Sequence, residues 1–319
     1  MKTTKIRLSL MATLCLSAIT FIGCSSDSSS DVKEPEGEGG SISYDYSDVT
    51  KVFDFHPAPG QFVNILPKYE EGDTQETMKG KALKAISGKK PDVISLGGFG
   101  GYIVMGFAEP INNVKGQRDF SVLGNAFTNS SEPGIILVSF DKNGDGLPND
   151  EWYEIAGSEY KNAKTVRDYE MTFFRPTSEP LGNIKNYIKY KNNQGEEGYK
   201  PKNQFHDQSY YPMWIKEDSL VFKGVRLPNN AFINSTSELW ELPALGYGYA
   251  DNHINGEADA AMDIDWAVDS KGNKVKLDKI HFIKIYTSMD QDAGRLGETS
   301  TEVMGIIDLH KAKVNIPTR

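Results

Sequence analysis

The sequence predicts a mainly β protein, an antiparallel β-sandwich or jelly-roll-like domain with one or two short helices. Three observations predict this fold class. The chain of 319 residues contains 30 Gly and 15 Pro, which favour turns over long helices. Aromatic residues make up 11% of the chain, and they favour strands. Short β-branched and aromatic runs also recur along the chain, each closed by Gly, Asn, Asp or Pro, at the spacing of a sandwich.

The first element is a predicted signal peptide. A basic N-terminus precedes an apolar run over residues 8–22, which is too short to span a bilayer comfortably and is typical of a signal-peptide core. The sequence Phe-Ile-Gly-Cys at positions 21–24 resembles the lipobox of bacterial lipoproteins. We therefore expect residues 1–23 to be removed and Cys24 to carry a lipid that anchors the protein to the outer membrane. The alternative is an ordinary secreted protein that is cleaved elsewhere.

The composition of residues 24–45 predicts a flexible tether after the anchor. Ser, Gly and acidic residues dominate this stretch, so it offers too little apolar surface to fold. The whole chain has a formal charge of −9 and no stripe dense in Lys and Arg. Binding that depends on neutralising phosphates is therefore not expected, which argues against nucleic acid as a partner.

The remaining residues, 46–319, predict one domain. Asp73 and Glu76 have the spacing of a capping box, so a helix is expected to follow them, with an apolar face and an end at Gly88. A polar stretch near residues 182–208 predicts a long insertion between strands. The apolar face of the helix consists of Met78, Ala82, Ala85 and Ile86. Strands are predicted at residues 52–55, 101–107, 119–123, 135–140, 152–156, 169–174, 220–222, 263–268, 281–287 and 302–307.

Residues 97–101, Gly-Gly-Phe-Gly-Gly, invite comparison with a phosphate-binding loop. Such a loop must open into a helix whose N-terminus faces the phosphates, whereas a strand pattern follows here. We therefore expect these glycines to let two segments of the chain cross closely at a corner of a sheet.

The sharpest chemical feature is the acidic segment 141–151, Asp-Lys-Asn-Gly-Asp-Gly-Leu-Pro-Asn-Asp-Glu. Side-chain oxygens at its first, third and fifth positions, followed by Gly146 at the sixth, match the calcium loop of an EF-hand. The twelfth position is Trp152 instead of Glu, and both flanks predict strands, so we expect a calcium loop within a hairpin. The alternative is a polar turn without metal. The candidate calcium ligands are Asp141, Asn143, Asp145, Asn149, Asp150 and Glu151.

A ligand-binding surface is predicted in the second half of the domain, where aromatic residues lie in surroundings rich in Gly, Pro or Asn. Such side chains tend to be exposed and can stack on a ligand. Neighbouring amides and carboxylates would bind the hydroxyl groups of a sugar or the polar groups of another large ring system. The alternative is that the rings fill the core or cover a loop. The candidate residues are Tyr210, Tyr211, Trp214, Trp240, Tyr247, Tyr249 and Asp251.

No catalytic arrangement stands out, and we expect a protein that is not an enzyme. The serines lack the Gly-x-Ser-x-Gly pattern of a nucleophile elbow, and the only cysteine of the mature chain is expected to be acylated. Carboxylate pairs such as Asp263 with Asp265, or Glu298 with Glu302, arise by chance in an acidic protein. Asp263 and Asp265 also alternate with apolar residues, as the outward face of a strand would.

Several segments together resemble a family of Bacteroidetes cell-surface lipoproteins, and the likeness runs over most of residues 50–310. The resemblance implies a β-sandwich that captures or hands over a nutrient at the cell surface, often beside TonB-dependent uptake systems that include some for corrinoids. It implies no particular ligand and no site residues. The segments are Ser-Leu-Gly-Gly-Phe-Gly-Gly at 95–101, Asp-Phe-Ser-Val-Leu-Gly-Asn-Ala-Phe at 119–127, Ser-Glu-Pro-Gly at 131–134, Trp-Tyr-Glu at 152–154, Asp-Ile-Asp-Trp-Ala-Val-Asp at 263–269 and Gly-Glu-Thr-Ser-Thr-Glu-Val at 297–303.

We therefore expect a non-enzymatic, ligand-binding lipoprotein that is anchored at the cell surface and stabilised by calcium. Its expected partners are the membrane, through the lipid, a TonB-dependent transporter, and a glycan or other large polar ligand. The alternatives are a corrinoid-binding accessory lipoprotein, a calcium-dependent glycan hydrolase and an adhesin. A hydrolase would place two carboxylates across a cleft, about 5 to 9.5 Å apart, and an adhesin would show a flat patch without a cleft.

Overall fold

Antiparallel strands dominate residues 45–319, which are the residues that the computed structural model describes. The prediction of a mainly β fold is confirmed. The predicted signal peptide, Cys24 and the tether up to residue 44 lie outside the described residues. Within residues 45–319, no helix is both long enough and apolar enough to cross a membrane.

The described part of the chain contains one α-helix, α1 (Gln75–Ile86), and three short 3-10 helices, Ala258–Ala260, Ile264–Trp266 and Gly294–Leu296. The strands are β1 (Tyr46–Ser47), β2 (Val49–His56), β3 (Gly88–Lys89), β4 (Ile94–Ser95), β5 (Tyr102–Asn112), β6 (Phe120–Leu123), β7 (Gly134–Ser139), β8 (Trp152–Ile155), β9 (Val166–Phe174), β10 (Ile184–Asn192), β11 (Glu197–Lys202), β12 (Ser219–Arg226), β13 (Phe232–Ile233), β14 (Trp240–Glu241), β15 (Ala261–Met262), β16 (Ala267–Val268), β17 (Lys279–Thr287), β18 (Glu302–Val303) and β19 (Gly305–Asp308).

The largest sheet has six strands in the order β16-β8-β7-β17-β5-β2. All its neighbouring strands are antiparallel. Ile285 in β17 pairs with Ile103 in β5 and with Ile136 in β7, and all three side chains are fully buried. Because directly paired residues point to the same face of a sheet, these isoleucines form a continuous apolar row on one face.

A second sheet has four strands in the order β11-β10-β9-β12, and it contacts the six-stranded sheet at Tyr286. The hydroxyl of Tyr286 in β17 accepts a hydrogen bond from the backbone N of Val225 in β12, at 2.9 Å. A Cβ added to Gly224 would lie 2.8 Å from the same ring, so the close approach of these strands needs a glycine. One hydrophobic cluster includes side chains of both sheets, of the three-stranded sheet β15-β6-β19 and of α1. Stacked antiparallel sheets around a shared core make this a β-sandwich.

The prediction that residues 182–208 form an inserted loop is wrong. Most of this stretch forms β10 and β11, an antiparallel pair that completes the four-stranded sheet. The sequence does not reveal these strands because each buries few side chains: β10 buries only Tyr187 and Ile188, and β11, at the edge of the sheet, buries only Lys202. An edge strand needs only one apolar face, and charged side chains are common on it.

Two further expectations need correction. Residues 263–268 are not one strand, because Ile264–Trp266 forms a 3-10 helix and only Ala267–Val268 is extended. The side chain of Asp263 accepts a hydrogen bond from the backbone N of Asp265 and caps that turn. Asp263 is 1% exposed, so it does not lie on an outward strand face.

The predicted helix is present, but its capping box lies one residue later than expected. Thr74 is the N-cap, and its side chain and that of Thr77 each bond the other's backbone N. Asp73 supports this turn from outside by accepting a hydrogen bond from the Thr77 hydroxyl at 3.0 Å. Met78, Ala82 and Ile86 are buried as predicted.

The glycines at 97–101 allow a close crossing of two segments, as expected. Gly97 has a φ of 68°, and a Cβ there would lie 1.9 Å from the carbonyl oxygen of Ala58. A Cβ on Gly101 would lie 1.9 Å from the carbonyl oxygen of Leu96. β5 follows directly, so no helix N-terminus faces this loop.

Candidate functional site

The acidic segment 141–151 connects β7 to β8 and folds mainly through its own hydrogen bonds. The two carboxylate oxygens of Asp141 accept from the backbone N of Gly144 and of Gly146, at 2.8 and 2.9 Å. Gly144 and Gly146 both have a φ of 73°, a left-handed conformation that favours glycine. The loop therefore turns sharply around the Asp141 carboxylate, as the sequence pattern predicts.

Three of the six candidate calcium ligands, Asn143, Asp145 and Asn149, contact one another through their side chains. Asp145 Oδ2 accepts from the side-chain amides of Asn143 and Asn149, at 3.0 and 2.8 Å. The amide of Asn149 holds the pKa of Asp145 below its usual value. A half-turn of each amide would point its oxygen at the position that its nitrogen now occupies. The side chains would then offer only oxygen to the loop, the ligand type that calcium takes. For Asn143 this turn would break the hydrogen bond that its Oδ1 accepts from the backbone N of Asp145 at 2.9 Å.

The last two candidate ligands have other partners. Asp150 Oδ2 accepts from the backbone N of Lys142 at 2.8 Å and closes the base of the loop. Glu151 Oε2 accepts from the hydroxyl of Tyr153 at 3.0 Å. No contact brings either carboxylate to the amides around Asp145 among the hydrogen bonds of residues 141–151.

The expectation that the aromatic candidates are exposed is wrong for most of them. Tyr210, Tyr211, Trp214 and Tyr249 are between 1% and 7% exposed. Each polar group of these rings has a partner within the protein: for example, the indole N of Trp214 donates to Gln75 Oε1 at 2.9 Å. These rings are part of the core, because segments distant in the chain pack against them, as α1 does against Trp214.

The remaining candidates lie apart from one another. Trp240 is half-buried in β14, with its indole against Gly294. Asp251 is 3% exposed and contacts backbone amides in the interior, so it is not available to a ligand at the surface. Tyr247 is half-buried and lines a cavity.

That cavity has a volume of about 320 Å³, and three aromatic rings, those of Tyr160, Tyr247 and Trp266, contribute to its wall. The rings of Tyr247 and Trp266 lie 4.7 Å apart between centroids, at an angle of 60°. Ser158, Lys161 and Lys274 add polar groups to the lining. A concave wall of aromatic rings with a few polar groups at its margin is the usual composition of a small-molecule site.

An arginine packs against each of the three rings. The guanidinium carbon of Arg167 lies 3.7 Å from the centroid of Tyr160, that of Arg319 lies 4.8 Å from Tyr247, and that of Arg118 lies 5.3 Å from Trp266. Cation–π contacts of this kind hold an aromatic ring in one orientation. These contacts restrict the rings that line the cavity.

Tyr249 supports the cavity from behind. Its hydroxyl accepts a hydrogen bond from the backbone N of Glu159 at 2.7 Å, which fixes the turn that carries Ser158 and Tyr160. A Cβ on Gly248 would lie 2.4 Å from the Cα of Gly157. The segment that carries Tyr247 can therefore approach the turn of Ser158 and Tyr160 this closely only because residues 157 and 248 are glycines.

Sequence reasoning found Tyr247 but missed Tyr160 and Trp266. Trp266 was placed in a strand whose alternation pointed it to the core, whereas the 3-10 helix turns it to the cavity wall. Tyr160 lies in a turn after β8, in the same kind of Gly- and Asn-rich surroundings that singled out the other aromatics, and that signal could have found it.

A second cavity, of about 410 Å³, lies at the four-stranded sheet. Its lining includes Phe174, Arg175, Tyr187 and Tyr199. None of the seven candidates for ligand binding lines it, and its Tyr187 is buried. It therefore offers fewer accessible aromatic faces than the first cavity.

No model of a known protein family matches the sequence, and no match is found among the curated proteins compared with it.

Proposed function

We propose that this protein is a non-enzymatic binding lipoprotein that captures a polar, ring-containing ligand, foremost a glycan, for an outer-membrane uptake system. In this proposal Cys24 carries the lipid anchor, the domain faces the cell exterior, and a TonB-dependent transporter receives the ligand. The observation that carries the proposal is the aromatic cavity of Tyr160, Tyr247 and Trp266.

The chemistry of the cavity suits a sugar. Aromatic rings stack on the apolar faces of sugar rings, while the hydroxyl of Ser158 and the ammonium groups of Lys161 and Lys274 can donate hydrogen bonds to ligand oxygens. A volume of about 320 Å³ is at the lower end for ligand sites. It therefore has room for a small ligand or for the end of a larger one, which favours a glycan over a whole corrinoid.

The composition of the cavity also favours binding over hydrolysis. None of its lining residues within the described chain is Asp or Glu. Glycoside hydrolysis ordinarily needs two carboxylates that flank the scissile bond. The proposal of a binding protein therefore needs no catalytic residue at this cavity.

A calcium ion in the acidic loop is the second part of the proposal. Asp141, Asn143, Asp145 and Asn149 would hold it, and its charge would offset the mutual repulsion of the carboxylates. The loop joins β7 to β8, and β8 leads directly into the turn of Ser158 and Tyr160. Calcium would therefore act on ligand binding only through the stability of this part of the sheet.

The test is a glycan array probed with the purified protein, with cyanocobalamin as the probe for the corrinoid alternative. Tyr247→Ala should weaken binding of an array hit about tenfold, the loss of about 1.4 kcal/mol that one stacking face commonly contributes. Tyr199→Ala, at the second cavity, is the matched control and should leave the affinity unchanged. The reverse result would move the site to the second cavity, and cleavage of the bound glycan would favour the hydrolase.

A further inference from the structure

Three carboxylates from distant parts of the sequence meet in the interior of the domain. They belong to Glu132, which precedes β7, to Asp251, in the turn after Ala250, and to Glu302 in β18. One oxygen of each lies within 4.8 Å of the other two. Asp251 and Glu302 are 3% and 1% exposed, whereas Glu132 is partly exposed. The cluster is therefore buried, with one member that reaches toward the surface.

Backbone amides hold two of the carboxylates in place. Asp251 Oδ1 accepts from the backbone N of Asn125 and of Ala126, both at 3.0 Å, and its Oδ2 accepts from the backbone N of Glu302 at 2.9 Å. Glu132 Oε1 accepts from the backbone N of Ser300 at 3.1 Å. Amide donors stabilise the charged form of a carboxylate. This part of the fold is therefore built to hold negative charge.

Glu302 is the unexplained member. Both of its carboxylate oxygens are buried, and neither has a hydrogen-bond partner. None of the ion pairs within residues 45–319 includes Glu132, Asp251 or Glu302. Burying a carboxylate without a hydrogen-bond donor or a counter-ion costs several kcal/mol of folding free energy. A bound cation would offset this cost.

We propose that Glu132, Asp251 and Glu302 form a buried binding site for a hard divalent cation of the calcium type. Oxygen ligands on one calcium ion lie at 2.3 to 2.6 Å from it and hence up to about 5 Å from one another, and the separation of up to 4.8 Å fits this limit. All side-chain ligands are oxygens, with no imidazole or thiolate, which selects calcium, magnesium or manganese over zinc.

The position of the cluster predicts what the ion does. Asp251 follows Ala250, which bridges to Gly134 at the start of β7, and Glu302 lies in β18, which pairs with β4. The ion would therefore join three segments that no continuous strand pairing joins. Glu132 is the member of the cluster with the most exposed surface. This site is separate from the acidic loop and from the aromatic cavity, so it does not depend on the proposed function.

The alternative is that the cluster holds protons instead of a cation. Burial, together with the charge of neighbouring carboxylates, raises the pKa of Asp251 and of Glu302. Protonated acids would need no metal, because a protonated Glu302 could donate a hydrogen bond to the carboxylate of Glu132. The two alternatives differ in one measurable respect, because only the first binds calcium.

The experiment counts bound ions in the purified protein after removal of metal, dialysis against calcium and elemental analysis, and it follows thermal unfolding in parallel. Glu302→Gln should bind one calcium ion fewer per chain than the unchanged protein. It should also lose the part of the calcium-dependent rise in Tm that this site supplies. In chelator it should be at least as stable as the unchanged protein, because it removes an unpaired charge.

Asp145→Asn, in the acidic loop, is the matched control and should keep the ion at the buried site. Glu132→Gln is a second variant of the cluster and should act as Glu302→Gln does. A magnesium arm of the same dialysis identifies the cation that the site prefers. The proposal is overturned if both cluster variants bind as much calcium as the unchanged protein, or if the unchanged protein binds only the ion that Asp145→Asn removes. It is likewise overturned if no calcium binds at all.

Discussion

At the scale of single residues, Trp214 shows how the core holds a large aromatic side chain. Its ring stacks on that of Phe55, with 6.0 Å between centroids, and its indole N donates to Gln75 Oε1 in α1. Only 7% of the residue is exposed. Its neighbour Met213 is 51% exposed. Adjacent residues therefore play opposite roles in the same turn.

Truncation of Trp214 is expected to destabilise the fold. Trp214→Ala should lower the free energy of unfolding by about 3 to 5 kcal/mol, the usual cost of removing a buried Trp. Chemical denaturation measures this loss. Met213→Ala, one residue earlier, should change the free energy by less than about 0.5 kcal/mol. If Trp214→Ala left stability unchanged but weakened ligand binding, the ring would belong to a binding site after all.

Glu298 is a buried acid whose pKa is raised in the folded protein. Its side chain accepts a hydrogen bond from the backbone N of Gln61, and burial raises its pKa from 4.5 to about 8. The folded protein thus holds a proton that the unfolded chain releases above pH 4.5. The contribution of Glu298 to stability is complete below that pH and is lost as pH rises through about 8.

Glu298→Gln should flatten this part of the pH dependence of stability. Each unit of pKa difference corresponds to about 1.4 kcal/mol. From pH 5 to pH 9 the free energy of unfolding of the variant should therefore rise, relative to that of the unchanged protein, by on the order of a few kcal/mol. Denaturation curves at both pH values give the comparison. Glu238→Gln, an exposed change, should leave the profile as it is. Parallel profiles for Glu298→Gln and the unchanged protein would contradict the prediction.

At the scale of elements, the acidic loop and the hairpin of β10 and β11 differ in what shapes them. The loop is organised mainly by hydrogen bonds between residues close in the sequence, such as that from Lys142 to Asp150, although Asp141 N also donates to His281 Nδ1 at 3.1 Å. The hairpin depends on β9, which pairs with β10 along Tyr190, Lys191 and Asn192. A local motif reveals the first kind of element, whereas the second kind becomes visible only with its partner strand.

The acidic loop is expected to bind calcium and to stabilise the folded state when it does. Free calcium at a hundredfold excess over Kd would raise the free energy of unfolding by about 2.7 kcal/mol. A chelator should therefore lower Tm. Asp145→Ala should remove the loop's share of the calcium response, because it deletes the carboxylate around which Asn143 and Asn149 gather. Asp278→Ala, an exposed change elsewhere, should keep the full response. A Tm response to calcium that Asp145→Ala leaves intact would show the loop to be a simple polar turn.

At the scale of the whole molecule, one core ties the sheets together. Side chains from the six-, four- and three-stranded sheets and from α1 belong to a single hydrophobic cluster. The aromatic cavity and the carboxylate cluster are both assembled from segments more than 80 residues apart in the sequence. Loss of the core would therefore remove both sites together.

The membrane anchor is expected to depend on a single thiol. Cys24→Ser should release the protein from the membrane fraction, because only this side chain can take the lipid in the predicted lipobox. Fractionation and labelling with an acyl probe measure the effect. Cys15→Ser, within the predicted signal peptide, is the matched control and should leave the protein anchored. Membrane association of Cys24→Ser with retained acyl labelling would refute the lipoprotein prediction.

Features with a short-range cause could be predicted from the sequence. The mainly β fold follows from the density of turn-formers and strand-formers, the buried face of α1 from its periodicity, and the turn around Asp141 from the spacing of its oxygens. The role of the glycines at 97–101 in a close chain crossing could also be predicted, because the strand pattern that follows them excludes a phosphate-binding loop. Each of these depends on residues within about ten positions of one another.

Only the tertiary structure decided which side chains meet. Trp214 is buried against Phe55 of β2 and Gln75 of α1, and Tyr210 is buried against Tyr187 of β10. Trp266 reaches the cavity because Asp263 caps a turn where a strand was expected. The encounter of Glu132, Asp251 and Glu302 has no local signature at all, since 119 positions separate Glu132 from Asp251 and 51 separate Asp251 from Glu302. Burial and the convergence of charges are long-range properties of packing, which a local sequence pattern does not contain.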